Sequence, residues 1–567
     1  MNIDHANGLS RRTFVKSLAR AAVASRLAWA GIRPDTISSA NARQYRENNS
    51  MLKILAATTT LILSLSVGAA TAATLQAKAT LQADKPGPRI NRNLYGQFSE
   101  HLGGGIYDGI WVGENSPIPN VRGIRTDVVE ALKAIKTPMV RWPGGCFADE
   151  YLWRDGIGPR DQRPVRKNNW WGGAAETNAF GTHEFMDFVE QIGAEAYISI
   201  NVGSSTPTYM REWIEYMTSP GQDTLARERR KNGRDKPWKV ALWGIGNESW
   251  GCGGNMTPEY YANELRRFGS FFHQGEDNPG LRVATGPNSD ETRWTEVLMK
   301  DASQAMDALS LHYYTLPTGD WKTKGAAIGF TQQEWVDTFA QTLKMDDFIK
   351  RHSAIMDTYD PKKRVGLYVD EWGTWYDVEK GTNPSYLYQQ NTLRDAVLAA
   401  ANFNIFHQHA DRVRMTSVAQ TINVLQAMIL TDGGKMALTP TYHAFKMYVP
   451  FQDATSLPLE LTTPNFSAGG KTIPAINASA ARAKDGRIFI GIANMDPQDR
   501  VELDIDLGAV KAKAVSGEVL TADRTDAHNV PGQPATIAPM PYSGGRIGQG
   551  RLVLDIPAKS VVVVRLD

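Results

Sequence analysis

The sequence predicts an α/β fold, a (β/α)8 TIM barrel followed by an all-β sandwich of jelly-roll-like size, on three observations. Short apolar runs alternate with amphipathic helical stretches from about residue 90 to 450, and eight such runs are present. After about residue 450 the runs shorten, alternate apolar with polar residues, and are punctuated by Gly, Asp and Pro. No Gly-rich phosphate loop follows the first run, which counts against a doubly wound open sheet, the alternative arrangement.

Composition agrees with a globular chain. Of 567 residues, 42% are hydrophobic and 22% charged, which excludes a disordered tail, a collagen-like fibre and a small disulfide scaffold. Two cysteines cannot build a disulfide framework or a structural zinc site. Fifteen Trp and nineteen Tyr suit sugar rings as well as cores.

Taken in order, residues 1–73 read as an export region. Met51-Leu-Lys-Ile-Leu is a short basic head, Leu61 to Val67 an apolar run, and Ala70-Thr-Ala72 a small-x-small cleavage pattern. Upstream, Ser10-Arg-Arg-Thr-Phe-Val-Lys16 resembles a twin-arginine motif, so the true start is expected at Met51 and the product in the periplasm or outside the cell. Residues 1–72 carry nine of the 62 Lys/Arg and three of the 60 Asp/Glu, leaving 53 against 57, a net −4. A mildly acidic chain argues against nucleic acid as a partner. No later stretch holds 18 uninterrupted apolar residues, so no membrane span is expected after signal removal.

Residues 74–89 read as a strand segment able to join the sandwich from the other end of the chain. Strand candidates for a barrel over 90–450 are Leu94–Phe98, Met139–Trp142, Ala196–Asn201, Ala241–Ile245, Arg282–Thr285, Ala308–Tyr313, Val365–Val369 and Met415–Thr421. Helical spacing recurs at Val128, Val129, Leu132 and Ile135, and again at Phe185, Phe188, Val189 and Ile192. The basic stretch 226–236 reads as a solvated loop face. Strand patterns over 451–567 include Ile476–Ala481, Arg487–Asn494, Arg500–Leu507, Arg551–Ile556 and Ser560–Leu566, a module expected to cap the barrel.

Chemistry concentrates where strand candidates end. Trp243-Gly-Ile-Gly-Asn-Glu248 closes the fourth and Tyr368-Val-Asp-Glu371-Trp the seventh, which sets two carboxylates at the C-terminal mouth where barrel enzymes build their sites. Glycosidic cleavage needs such a pair: one protonates the leaving oxygen while the other attacks the anomeric carbon or activates water. His407-Gln-His409 could ligate metal on a strand, but helical spacing would point the pair apart. No nicotinamide, nucleotide or haem signature is present.

Asn247-Glu248 and Glu371 resemble the barrel clan of retaining glycoside hydrolases. Longer strings resemble family 51 α-L-arabinofuranosidases: Tyr95-Gly-Gln-Phe-Ser-Glu100-His-Leu-Gly-Gly, Arg141-Trp-Pro-Gly-Gly-Cys146-Phe-Ala-Asp, Trp153-Arg-Asp-Gly-Ile-Gly-Pro159, Ser310-Leu-His312-Tyr-Tyr314, Asp370-Glu371-Trp-Gly-Thr-Trp375 and Gln420-Thr-Ile-Asn-Val-Leu425. The likeness runs collinearly over about 90–450. It implies an exo-acting, retaining hydrolase that needs no cofactor or metal, acting on plant cell-wall arabinan, arabinoxylan or their oligosaccharides, and often homo-oligomeric. Glu248 would be the acid/base and Glu371 the nucleophile. Asn247 would bind the sugar 2-hydroxyl, and Glu100, Arg141, His312, Tyr314 and Gln420 would contact the sugar or orient the glutamates, with Trp375 an aromatic wall. Where many members place Asn after Arg-x-Pro-Gly-Gly, this chain has Cys146, and Cys252 lies four residues beyond Glu248; the two could form a disulfide or remain free thiols. Two rival readings stay open: an endo-β-glucanase or β-xylosidase on the same scaffold, which an open groove would favour over a closed pocket, and a non-catalytic carbohydrate-binding protein.

Overall fold

The computed structural model describes residues 74–275 and 278–567. Eight parallel strands close into a barrel in chain order: Gly96–Phe98, Met139–Trp142, Glu195–Ile200, Leu242–Ile245, Leu281–Ala284, Ala308–Thr315, Gly366–Thr374 and Val413–Ala419. Each falls on one of the eight apolar runs. The seventh extends furthest beyond expectation, running through Asp370 and Glu371 to Thr374.

A period of two sorts the strand residues into layers. Met139, Tyr197, Leu242, Val283, Ala308, Tyr368 and Met415, one from each of strands two to eight, form a separate buried cluster that plugs the N-terminal end of the barrel. Two residues further along, Arg141, Ser199, Ser310, Asp370 and Ser417 are buried and polar. The residues between them, such as Val140, Trp142, Ile198, Trp243, Leu309, Leu367 and Val369, join the large outer core beneath the helices. The interior thus grades from apolar plug to polar mouth.

One irregularity matters for the site. Ser310 pairs with Tyr368, but His312 pairs with Glu371, so strand seven carries one extra residue against strand six. Strict alternation would send one of the consecutive acids Asp370 and Glu371 outward. Here both find interior partners, Tyr197 for Asp370 and Arg141 for Glu371.

The helices follow the apolar spacing. Thr126–Ala134 buries Val128, Val129 and Leu132, and Thr182–Ile192 buries Phe185, Phe188, Val189 and Ile192. Each such side chain contributes about 1.5–3 kcal/mol of burial. Leu393–Gln408 is buried almost all round, because the barrel lies on one side of it and a β-sheet on the other. Its capping box, Thr392 with Asp395, closes the N-terminal donors. The basic stretch 226–236 departs from the sequence expectation. Thr224–Lys231 is a helix capped by Asp223, and Arg229 is fully buried because its guanidinium donates to the Tyr216 carbonyl (2.8 Å).

The tail forms two sheets. One has the order Leu459–Thr462, Thr74–Leu81, Arg500–Asp506, Arg551–Ile556 and Gly545–Gly548; Thr74–Leu81 runs parallel to Arg500–Asp506. The other has Ile476–Arg482, Ile488–Asn494, Ser560–Leu566 and Val515–Leu520 at its centre. Alternate residues Ala77, Ala79, Val501, Leu503, Ile490, Ile492, Val562 and Val564 make the shared core. Phe489, Ala493, Val561 and Val563 face the other way and join the barrel core. Trp335 fastens the junction, its indole N–H donating to the Met495 carbonyl (2.8 Å).

Candidate active site

The strand ends converge on a hollow of about 330 Å³ lined by Glu100, Cys146, Glu248, Glu371, Gln420 and the aromatic rings of Trp171, Trp250, Tyr314, Trp321 and Trp375. Glu371 is buried and held from two sides. Arg141 Nη1 donates to Oε1 (2.7 Å) and the Tyr314 hydroxyl to Oε2 (2.8 Å). Glu248 stands opposite in the left-handed backbone region (φ 40°), which turns its side chain back over the mouth. A carboxylate oxygen of Glu248, one of Glu371 and a His312 ring nitrogen all lie within 4.8 Å of one another.

Arg141 organises the polar layer. Besides Glu371 it donates to Asn247 Oδ1 (2.6 Å), Ser199 Oγ (3.2 Å) and the Asp370 carbonyl (3.3 Å), and its guanidinium packs over Phe98. Burial opposes its charge, but Asp370 and Glu371 outweigh that cost and hold it firmly protonated. His312 sits between three acids: Nδ1 is 2.9 Å from Glu248 and Nε2 is 3.2 Å from Asp370. Burial would favour the neutral ring, yet Glu371, Asp370 and Glu248 push its pKa up to about 10, so it is an imidazolium at neutral pH. Glu248 itself is raised above the usual carboxylate range, first by burial and then by repulsion from Glu371, with the His312 hydrogen bond pulling the other way.

Two backbone N–H groups, of Gly145 (3.0 Å) and Phe147 (3.1 Å), hold Glu100 Oε1. Gln420 Nε2 donates to its Oε2 (3.1 Å). Burial and the nearby Glu371 push Glu100 up to about 7. The Pro-Gly-Gly string is explained by close approach: a Cβ on Gly144 would lie 2.6 Å from Glu100 Cγ, and one on Gly145 2.8 Å from Glu371 Oε1. Gln420 Oε1 is buried with no protein partner, an acceptor free for a ligand hydroxyl. Trp375 meets Tyr314 edge-on (5.0 Å) and Trp321 edge-on (5.2 Å), so the aromatic wall continues outward to Trp321, which is 50% exposed.

Cys146 and Cys252 are bonded to each other, and their sulfurs lie 3.9 and 3.5 Å from Glu248 Oε2. Every residue singled out in the sequence for the site therefore lies at this one mouth. His407 and His409 do not: His407 is buried between Tyr95 and Ser479, and His409 pairs with Asp346.

Sequence reasoning missed several residues. Asp149 accepts from the backbone N–H groups of Val202 (2.8 Å), Gly203 (2.7 Å) and Asn247 (3.0 Å), tying three strand ends together. Asp370 accepts from the Tyr197 hydroxyl (2.7 Å) and faces His312. Both stand inside the quoted strings, so an acid beside an apolar strand end was the available signal. Trp171, Trp250 and Trp321 come from loops, where no periodicity marks them.

The sequence matches the family model described as "Alpha-L-arabinofuranosidase 1 domain" over residues 131–333 and the "Alpha-L-arabinofuranosidase C-terminal domain" over residues 370–560. An intracellular exo-α-L-arabinofuranosidase of Bacteroides ovatus is 48% identical, the match covering 91% of this chain and 99% of the relative. The crystal structure of a GH51 arabinofuranosidase from Xanthomonas axonopodis pv. citri is 52% identical, with a TM-score of 0.86 over 87% of this chain and all of that one. An α-L-arabinofuranosidase from Thermotoga maritima in complex with arabinose is 28% identical, with a TM-score of 0.73 over 87% and 99%. The Bacteroides ovatus relative is intracellular, and this overturns the expectation of an exported, secreted product. A basic head, an apolar run and an Ala-Thr-Ala triplet are matters of composition alone and do not fix a compartment. That segment lies outside the described residues. Among the described residues, no helix is long and apolar enough to cross a membrane.

Proposed function

The chain belongs to the glycoside hydrolase family 51 α-L-arabinofuranosidases, and from that premise we propose a retaining, exo-acting mechanism run by Glu248 and Glu371. The reaction is hydrolysis of an α-L-arabinofuranosidic bond. Glu371 attacks the anomeric carbon while Glu248 gives its proton to the departing oxygen, leaving an arabinosyl ester on Glu371. Glu248, now a base, takes a proton from water; the water oxygen bonds the anomeric carbon and Glu371 leaves. Two inversions restore the starting configuration.

The observation that carries this reading is that one carboxylate oxygen of Glu248 and one of Glu371 lie within 4.8 Å of each other, an approach that favours direct attack over a water seated between the two groups. Retaining enzymes hold their carboxyl groups about 5–5.5 Å apart, whereas inverting ones need about 6.5–9.5 Å to seat a water. The surroundings favour the same division of roles. Arg141 and Tyr314 keep Glu371 an acceptor, so it is suited to attack. Glu248 keeps a proton more readily because of burial and the facing carboxylate. His312 bonds Glu248 Oε1, whereas the sulfurs beside Oε2 have no proton to give, which leaves Oε2 to carry the transferable one. Asn247, fixed through Arg141 and Asp149, would donate to the sugar 2-hydroxyl. Glu100 and the free Oε1 of Gln420 would take other hydroxyls.

A hollow walled by Trp171, Trp250, Trp321 and Trp375 favours a single terminal sugar over a chain threaded through a groove, so arabinan, arabinoxylan and their oligosaccharides fit as sources of side-chain arabinose. Chromophore release from aryl α-L-arabinofuranoside, β-D-xyloside and β-D-glucoside tests this, with wild type and Glu371→Ala side by side. Release from the arabinofuranoside alone, lost in the variant, is expected. Activity surviving Glu371→Ala would remove the nucleophile assignment.

A further inference from the structure

The bridge between Cys146 and Cys252 lies against Glu248, the carboxylate proposed as acid/base. Both sulfurs contact the same oxygen, Glu248 Oε2, at 3.9 and 3.5 Å. Those separations match the edges of a tetrahedral zinc centre, for which Zn–S and Zn–O bonds of about 2.3 and 2.1 Å place sulfur and oxygen roughly 3.6 Å apart. One ligand atom from each of Cys146, Cys252 and Glu248 falls within a 4.8 Å cluster. All three residues are half-buried, and Cys146 and Glu248 line the hollow. In the bridged state the cluster holds no cation, since disulfide sulfurs carry no negative charge.

We propose that reducing the Cys146–Cys252 bridge unmasks a two-thiolate, one-carboxylate site for a thiophilic divalent cation such as Zn2+, which switches the enzyme off by capturing Glu248. A small dithiol supplies two electrons and two protons to the bridge and leaves as its own cyclic disulfide. The cation then displaces both thiol protons and bonds the two sulfurs and Glu248 Oε2. Its fourth position opens into the hollow, where water binds. His312, bonded to the other oxygen of Glu248, steadies the carboxylate as an outer partner. The loss of turnover rests on Glu248 acting as the acid; the binding of the cation does not.

The test uses the full chain under anaerobic conditions, with a phosphine in place of a dithiol because it does not compete for the metal; it takes up oxygen from water as the phosphine oxide. Zinc is titrated against a chromophoric zinc indicator, and aryl arabinofuranoside hydrolysis is followed in parallel. The oxidised protein should take up no zinc against the indicator. The reduced protein should take up one per chain, with both thiols shielded from a thiol reagent, and should lose at least tenfold in turnover until a chelator restores it. Glu248→Gln should weaken zinc uptake at least tenfold while both thiols remain countable. A reduced wild type that binds no more zinc than the oxidised form overturns the proposal, as does uptake that persists in the Cys146→Ser, Cys252→Ser double variant. Unchanged uptake in Glu248→Gln would remove the carboxylate from the site. Zinc uptake is read without turnover, so an error in the glycosidase assignment would leave this outcome readable.

Discussion

Replacing Tyr314 by Phe removes one oxygen and little else. The ring is buried against Trp375 and keeps its packing, so no cavity beyond the hydroxyl is created. What is lost is one of two direct donors to Glu371, the 2.8 Å bond to Oε2; Arg141 retains the other. A hydrogen bond to a charged group contributes about 1.5–3 kcal/mol. Arg141 and the more distant His312 ring nitrogen (3.5 Å from Oε2) are then its remaining anchors, and the carboxylate can rotate away from the line of attack. Each 1.36 kcal/mol is a factor of ten in rate, so kcat/KM on an aryl arabinofuranoside should fall by roughly tenfold to a hundredfold. The melting temperature should move little, because a polar bond is exchanged for a small apolar contact. Steady-state kinetics beside a thermal melt separates the effects. Activity within twofold of wild type, with an unchanged melt, would refute the idea that Tyr314 aims the nucleophile.

Other outcomes follow from the same geometry. Glu248→Gln should slow natural arabinosides by about a hundredfold or more, yet show a burst with an aryl substrate whose leaving group needs no proton; absence of a burst in stopped-flow absorbance would count against the acid/base role. Burial, with Glu371 repulsion adding at Glu100, pushes Glu100 and Asp149 up to about 7. The folded protein therefore keeps protons that the unfolded chain releases above about pH 4, and these two acids make stability fall as pH rises from about 4 to about 7. Asp149→Asn should flatten that part of the melting-temperature profile, and an unaltered slope would contradict it. Gly253→Ala would place a Cβ 1.8 Å from the Asn247 carbonyl oxygen and 2.7 Å from Asp149 Oδ2. Overpacking of this kind costs about 1–3 kcal/mol, so both melt and kcat should drop, and unchanged kcat would show the Asn247 loop to be more yielding than its contacts imply. Trp321→Ala should raise KM for arabino-oligosaccharides several-fold while leaving small aryl substrates nearly unaffected; equal effects on both would deny it an aglycone role.

The barrel was legible because its physics is periodic. All eight strands lie on apolar runs, and the inward and outward sets follow the alternation that Met139-Val-Arg141-Trp already displays. Glu248 and Glu371 were legible as acids ending apolar strands. The extra residue that lets Asp370 and Glu371 both face inward is a matter of register between strands six and seven, which no single strand encodes. Asp149 was hidden for a related reason: its three partners are backbone N–H groups from two other strand ends, and backbone donors leave no mark in a sequence. The 226–236 stretch misled because its charge outweighed Arg229, whose burial depends on the Tyr216 carbonyl thirteen residues upstream. Trp171, Trp250 and Trp321 reach the site from loops, whose paths are set by tertiary packing.

The central claim is a covalent arabinosyl ester on Glu371. Glu248→Gln, mixed with an aryl α-L-arabinofuranoside and quenched in acid within the burst, can be digested and its peptides weighed. The account predicts one anhydropentose added to the peptide containing Glu371 and to no other. An unmodified Glu371 peptide through a completed burst, or an adduct on another residue, would contradict it.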